Sequence, residues 1–190
     1  FVNFNGAAGG KYDLNKAIKL SYNIGYALRS PEVNELYSAG LHQGVSGIEE
    51  GNRQLNIEKS LKNIFTIDVN FDQRVLLQLI GYHQFIDDYI YLKPEKELRL
   101  TIRGAFPVFI YDQTNAAING MDFTGSIEIS KHIKWLSQFS YIRGHDRLHQ
   151  IGLVFMPANT IRNKIELQLN EGKKIKNTSM GIQFKNVFRQ

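Results

Sequence analysis

Apolar and polar side chains alternate with a period of two through most of the chain, the signature of strands whose two faces meet different surroundings. Ile18, Leu20, Tyr22, Ile24 and Tyr26 alternate with Lys19, Ser21, Asn23 and Gly25, and Phe65, Ile67, Val69 and Phe71 alternate with Thr66, Asp68 and Asn70. The same pattern returns with Met121, Phe123, Ile127 and Ile129 against Asp122, Thr124, Ser126 and Glu128, and with Trp135, Ser137, Phe139 and Tyr141 against Leu136, Gln138, Ser140 and Ile142. Ile165, Leu167 and Leu169, then Met180, Ile182 and Phe184, complete the series. Between Val75 and Phe85 the facing is ambiguous, because Leu76 and Leu77 are both apolar.

The connections alternate in length. Residues 72–74, 130–134 and 170–176 are tight links, whereas 29–60, 88–107 and 145–158 are long. Short links on one side and long links on the other describe a meander closing as an outer-membrane barrel, with short periplasmic turns and long extracellular loops. Strands of about ten residues suit a tilted crossing of the bilayer. Tyr26, Phe71, Phe85, Trp135 and Phe184, near strand ends, suit interfacial girdles. The predicted fold is therefore all-β, an antiparallel up-and-down transmembrane β-barrel fragment. A soluble β-sandwich that binds carbohydrate or another ligand, with Trp135 and exposed tyrosines as a stacking platform, is the alternative. In a sandwich the apolar faces meet one another; in a barrel they meet lipid.

Composition narrows the function classes. The longest apolar stretches, such as 75–80, fall far short of the roughly 20 residues of a spanning helix. With no cysteine, there is neither a disulfide scaffold nor a thiolate metal site. Twenty-three basic against 18 acidic residues give a net charge of +5, but the cations are dispersed. The one dense run, Lys173-Lys174-Ile175-Lys176, falls in a segment that reads as a solvated turn, so nucleic acid is not an expected partner.

From Arg29 onward the residues carry a resemblance. Arg29-Ser30-Pro31-Glu32-Val33-Asn34-Glu35-Leu36-Tyr37-Ser38, with Gly40 and His42, is followed by Glu49, Gly51-Asn52, Leu55 and Glu58-Lys59-Ser60. This succession resembles the TonB-dependent receptor family, in which an arginine-proline, glutamate-leucine segment precedes a glycine-asparagine, leucine, glutamate segment at the start of the next strand. Ile86-Asp87-Asp88-Tyr89-Ile90 is similar to the top of an upward strand in that family, and Tyr111-Asp112-Gln113 with Ala117, Gly120 and Met121-Asp122 to a long downward strand. Tyr141-Ile142-Arg143-Gly144 and the proline-asparagine of 156–159 fall in order. The chain ends on Lys185-Asn186-Val187-Phe188-Arg189-Gln190, similar to a penultimate strand, and opens on residues 1–10, similar to the tail of an earlier one. Residues 1–190 are thus expected to be the C-terminal portion of such a barrel, about seven to eight of roughly 22 strands, with the plug, early strands and final strand absent.

The resemblance implies no enzyme and no cofactor. It implies energy-coupled uptake across a Gram-negative outer membrane of a solute too scarce for porins, foremost an iron chelate such as a siderophore or haem. Its implied partners are outer-membrane lipid, the receptor's own N-terminal plug domain, the TonB complex acting through that absent part, and a small metal-chelate ligand.

Candidate chemistry is sparse. His145-Asp146-Arg147-Leu148-His149 spaces two imidazoles by four residues, a metal-binding interval on a helix, although the segment reads as a loop. His42, Glu49 and Glu50 share the longest connection, and the resemblance places a ligand-contacting histidine there. His42, Glu49, His145 and His149 are the expected ligand contacts; Asn23, Asp68, Asn70, Asp122 and Glu128 are the expected lumen- or plug-facing residues. His83 and His132 belong to a strand face and a turn. No catalytic residue and no resident metal are expected: neighbouring carboxylates such as Asp87-Asp88 point to opposite faces of a strand, and no nucleophile elbow or phosphate loop is present. The glycine-rich stretch 6–10 reads as a turn.

Overall fold

A computed structural model describes residues 3–169 and 178–189. The predicted tight link at 170–176 and its lysine run lie outside the described residues. The elements in chain order are β1 (Asn5–Asp13), β2 (Ile18–Arg29), α1 (Val33–Tyr37), β3 (Ala39–His42), β4 (Gly47–Glu50), β5 (Glu58–Phe71), β6 (Val75–Thr101), β7 (Gly104–Ser130), β8 (Ile133–Asp146), β9 (Ile151–Gly152), β10 (Thr160–Gln168) and β11 (Ser179–Val187). Eight of the strands form one antiparallel meander in the order β1-β2-β5-β6-β7-β8-β10-β11, and the short β3, β4 and β9 attach at its upper end. Among the described residues β1 and β11 do not pair with each other, so the sheet is open.

The register sorts the alternation into two faces, because residues directly opposite in antiparallel strands share a side. Leu20, Ile67 and Leu79 stand side by side across β2, β5 and β6, and Leu79, Phe123, Phe139 and Ile161 continue the row across β7, β8 and β10. Facing is no longer ambiguous in β6: Leu77 lies beside Val69 on the apolar side, and Leu76 lies between Asn70 and Ser126 on the other. Among the described residues nothing covers the apolar side: Phe65 is 45% exposed, Ile165 52% and Ile182 79%, and the buried apolar residues are Ile48, Leu55, Ile86, Ile90, Val108 and Ala116. A sandwich would bury these stripes between two layers; this chain has a single layer, which removes the sandwich alternative.

Local chemistry explains the lower turns. Asp72 and Gln73 both have positive φ, and Arg74 N–H donates to the Phe71 carbonyl at 3.1 Å, a tight β-turn within the three-residue link 72–74. Asn70 Oδ1 accepts from Gln73 N–H at 3.1 Å and steadies it. Lys131 and His132 form the corresponding turn between β7 and β8.

Two expectations are corrected. Residues 6–10 are not a turn but part of β1, paired from Gly6 with Tyr26 to Gly10 with Tyr22. Glycine suits this position, since a Cβ on Gly9 would lie 2.1 Å from Asn23 Oδ1. Residues 88–107 are not an irregular loop: β6 and β7 each run 27 residues and meet at the two-residue turn Ile102-Arg103. In this extension residues 93–97 no longer alternate between apolar and polar, so the strand signal fades there. A bulge between Ile86 and Tyr89, with Asp88 at φ 58°, separates this extension from the lower strand.

Candidate functional site at the upper rim

The long connection 30–57 does not float above the sheet. Proline at 31 ends β2, and Glu32 caps the short helix α1 while Glu35 returns a carboxylate oxygen to Glu32 N–H at 2.7 Å, a capping box. Arg29 Nη1 donates to both Glu35 oxygens at 3.0 Å, and its Nε donates to Glu58. Glu58 Oε1 in turn accepts from Ile90 N–H at 2.6 Å. Glu35 and Glu58 are 8% and 7% exposed, so Arg29 is the cation shared by two buried carboxylates. Gly51 packs against the end of α1, where a Cβ would come within 2.5 Å of the Leu36 carbonyl carbon and Tyr37 nitrogen. These contacts account for the residues that carry the family resemblance.

The outer part of the connection is the hairpin β3–β4, and β4 adds in parallel to the free edge of β7 through Ile48, Glu49 and Glu50, opposite Val108, Phe109 and Ile110. Arg99 pairs with Glu50, and Gln113 holds the returning chain: its Nε2 donates to the carbonyls of Asn56 (3.0 Å) and Asp88 (2.7 Å), and its Oε1 accepts from Asn56 N–H (2.8 Å).

The structure brings His42 and Glu49 together, with His42 Nδ1 3.1 Å from Glu49 Oε1; the imidazole is exposed and the carboxylate buried. Asn34 donates to the Tyr111 hydroxyl at 3.4 Å beside them, and burial, then the nearby Glu49 charge, raises the Tyr111 pKa.

His145 and His149 do not converge. His145, next to last in β8, stands on the face it shares with Ala117, and its Nε2 lies 3.3 Å from Gln150 Oε1. Asp146 faces the opposite side, beside Ala116, and organises the turn that follows. Its carboxylate accepts from the N–H groups of Leu148 (2.8 Å) and His149 (2.9 Å) and from the Thr114 hydroxyl (2.7 Å), while His149 Nδ1 lies 2.8 Å away. Burial alone would raise this pKa; the bonds from His149, Thr114 and Leu148 outweigh it and hold the carboxyl at about 2. The segment is a strand end and a turn rather than a helix, so the four-residue spacing does not place both imidazoles on one side. Among the described residues no group of three or more His, Asp or Glu side chains is arranged to hold a metal ion.

Asn23, Asp68, Asn70, Asp122 and Glu128 all stand on the face opposite the apolar stripes. Asp68 lies between Lys19 and Gln78 and accepts from Gln78 Nε2 at 2.7 Å; Asp122 accepts from the Ser140 hydroxyl at 2.6 Å; Glu128 stands opposite Lys134.

Several rim residues escaped the sequence reading. Lys93 Nζ donates to Asp112 Oδ2 at 2.9 Å beside Tyr91, and the Tyr89 and Tyr91 rings stack at 6.4 Å. All lie on the hairpin extension, and only its register brings residues 19 positions apart into contact. Arg147, whose guanidinium lies 5.1 Å from the centre of the Phe85 ring, was equally hidden.

Comparison with known proteins gives the same picture. Residues 1–178 match the family described as TonB dependent receptor-like, beta-barrel. A search of curated proteins returned no match by sequence. Among solved structures, the chain is similar to the copper transporter OprC (TM-score 0.75, 20% identity, 95% of this chain and 25% of that one). It is also similar to the siderophore receptor PirA from Pseudomonas aeruginosa (0.65, 14%, 87% and 31%) and to PirA from Acinetobacter baumannii (0.62, 13%, 96% and 33%). At these identities the likeness is one of fold, and the chain spans a quarter to a third of each structure's length.

Proposed function

The chain belongs to the TonB-dependent receptor β-barrel family, and from that premise we propose that it forms barrel wall and extracellular rim of an outer-membrane receptor that takes up a scarce solute by energy-coupled transport. The observation that carries this reading is the single-layer sheet, apolar on one side, polar on the other, and surmounted by connections pinned to its upper end. The apolar side meets outer-membrane lipid. The polar side, with Asn23, Asp68, Asn70, Asp122 and Glu128, lines the lumen against the receptor's own plug domain, which the TonB complex acts on from the inner membrane.

The cargo is an iron chelate, a siderophore or haem. Two of the similar structures named above are siderophore receptors and one is a copper transporter, so iron and copper are the pair to discriminate. The His42–Glu49 pair is the first candidate contact, because an exposed imidazole fixed by a buried carboxylate keeps its other nitrogen available to a polar or metal-bearing ligand. His149 contributes separately, from the turn that follows β8, where it faces Asp146. The protein performs no covalent chemistry on the solute.

Uptake by cells that depend on the complete receptor tests this. Labelled ferric siderophores and haem should enter in a TonB-dependent manner, and His42→Ala with Glu49→Ala should lower uptake without lowering the amount of folded barrel. Uptake of copper but of no iron chelate would move the assignment to copper; uptake of neither, by a folded and inserted receptor, would sink the metal-cargo reading.

A further inference from the structure

High on the apolar side of the sheet, Tyr26, Leu61 and Phe85 are register neighbours across β2, β5 and β6 and floor an open groove of about 410 Å³. Lys59, Asp87 and Arg147 complete its lining. Arg147 spans from the β8–β9 turn to the Phe85 ring, and its backbone N–H is anchored on the Asn115 carbonyl at 2.7 Å. Lys59 stands directly opposite Asp87, the one acidic group in the lining, while Arg143 and His145 are exposed on the same side of β8, beside Asn119 and Ala117.

The height of the groove identifies its surroundings. Ten residues of β5 separate Leu61 from Phe71 at the lower turn, about 33 Å of strand at about 3.3 Å per residue and about 25 Å of vertical rise at a tilt of about 40°. That is the height of an outer-membrane apolar band. One step lower, the row Asn63, His83, Asn119 and Arg143 crosses the same side from strand to strand, with Tyr22 donating to Asn63 at 2.6 Å and Arg143 to Asn159 at 3.3 Å. Apolar wall below, polar row and cationic shelf above is the polarity profile of an amphiphile whose acyl chains point down the barrel wall.

We propose that the groove floored by Tyr26, Leu61 and Phe85 and bordered by Lys59 and Arg147 binds the phosphate-bearing headgroup of an acylated lipid in the outer leaflet. The aromatic and aliphatic floor takes the upper acyl and glycerol- or sugar-like part, and the two cations take the phosphate. Lys59 supplies a point charge, and Arg147, stacked on Phe85, presents its fork edgewise. This inference rests on the membrane-spanning reading, and the experiment separates the two.

The complete receptor is incorporated into phosphatidylcholine vesicles carrying a minority of diphosphoryl lipid A, gently re-extracted, and the lipid it retains is weighed by native mass spectrometry. Wild type is expected to retain the diphosphoryl lipid and not its dephosphorylated counterpart, and Lys59→Gln with Arg147→Gln to weaken retention about thirtyfold. Both side chains are exposed, so the double variant is expected to show unchanged β circular dichroism and solute uptake. Equal retention by wild type and double variant, or equal retention of the dephosphorylated lipid, overturns the site. Displacement by inorganic phosphate at the lipid's own concentration reassigns it to a free anion and overturns the lipid assignment. Failure of the complete protein to enter bilayers overturns the membrane reading and the site with it.

Discussion

Arg29 at the top of β2 and Glu58 at the top of β5 are register partners on the polar side of the sheet, and their side chains form an ion pair there. The pair does more than join two strands. Through Glu35 it fixes α1, and through the Ile90 amide it fixes the start of the β6 extension. One guanidinium thereby coordinates three segments that are distant in sequence. Replacing it with methionine leaves Glu35 and Glu58 as uncompensated buried carboxylates. Because Arg29 is itself 41% exposed, the cost is expected to be about 2–3 kcal/mol, below that of a fully buried pair. Limited proteolysis of the complete receptor should show faster cutting within 30–57 while the lower strands stay protected.

The two faces can be told apart with neighbouring residues. Phe65 lies on the apolar side and Thr66 on the polar side of β5. Arginine at 65 faces lipid and is expected to cost about 2–4 kcal/mol of folding free energy in bilayers, whereas arginine at 66 costs less than about 1 kcal/mol. Urea titration of the receptor refolded into vesicles measures both, and equal losses would mean the sides are assigned wrongly.

Gly51 is required by the backbone it touches rather than by its own φ. A methyl group at 2.5 Å from the end of α1 forces the helix or the chain to shift, so Gly51→Ala is expected to cost about 1–3 kcal/mol. Amide hydrogen exchange should accelerate at Gly51 and Asn52, whose N–H groups bond the Ser38 and Glu35 carbonyls.

The Asp146 turn carries a pH dependence of definite sign. Its carboxyl is depressed from 3.8 to about 2 in the folded chain. The stabilisation is therefore complete above the unfolded value of 3.8 and is lost as pH falls through about 2, an effect of about 2 kcal/mol. Asp146→Asn removes that dependence. Comparing acid-induced proteolysis of wild type and variant across this window isolates it; parallel curves would show that the bonds from Thr114, Leu148 and His149 do not favour the ionised form.

The meander was legible in the sequence because its two faces make opposite demands on successive side chains, with Leu20, Ile67 and Phe123 on one side and Asp68 and Asp122 on the other. The hairpin extension lost that contrast over residues 93–97, and residues 6–10 lost it because glycine and alanine have no side chain to show a preference. At the rim, His42 and Glu49 were visible as a group within one connection. The Arg29–Glu58 pair, the Lys93–Asp112 pair and the Arg147–Phe85 contact were not, because each depends on register, which alternation leaves free by steps of two residues. His145 and His149 illustrate the converse: spacing that would converge on a helix diverges at a strand end.

The β6–β7 hairpin, with β4 laid along its edge, works as a braced mast. A connection of nearly thirty residues that hung free would have to be stilled each time a solute arrived, and that ordering would subtract from affinity. Here the stilling takes place once, when the chain folds. On the uptake reading proposed above, such a rim meets its solute already in shape, and little ordering remains to subtract from affinity.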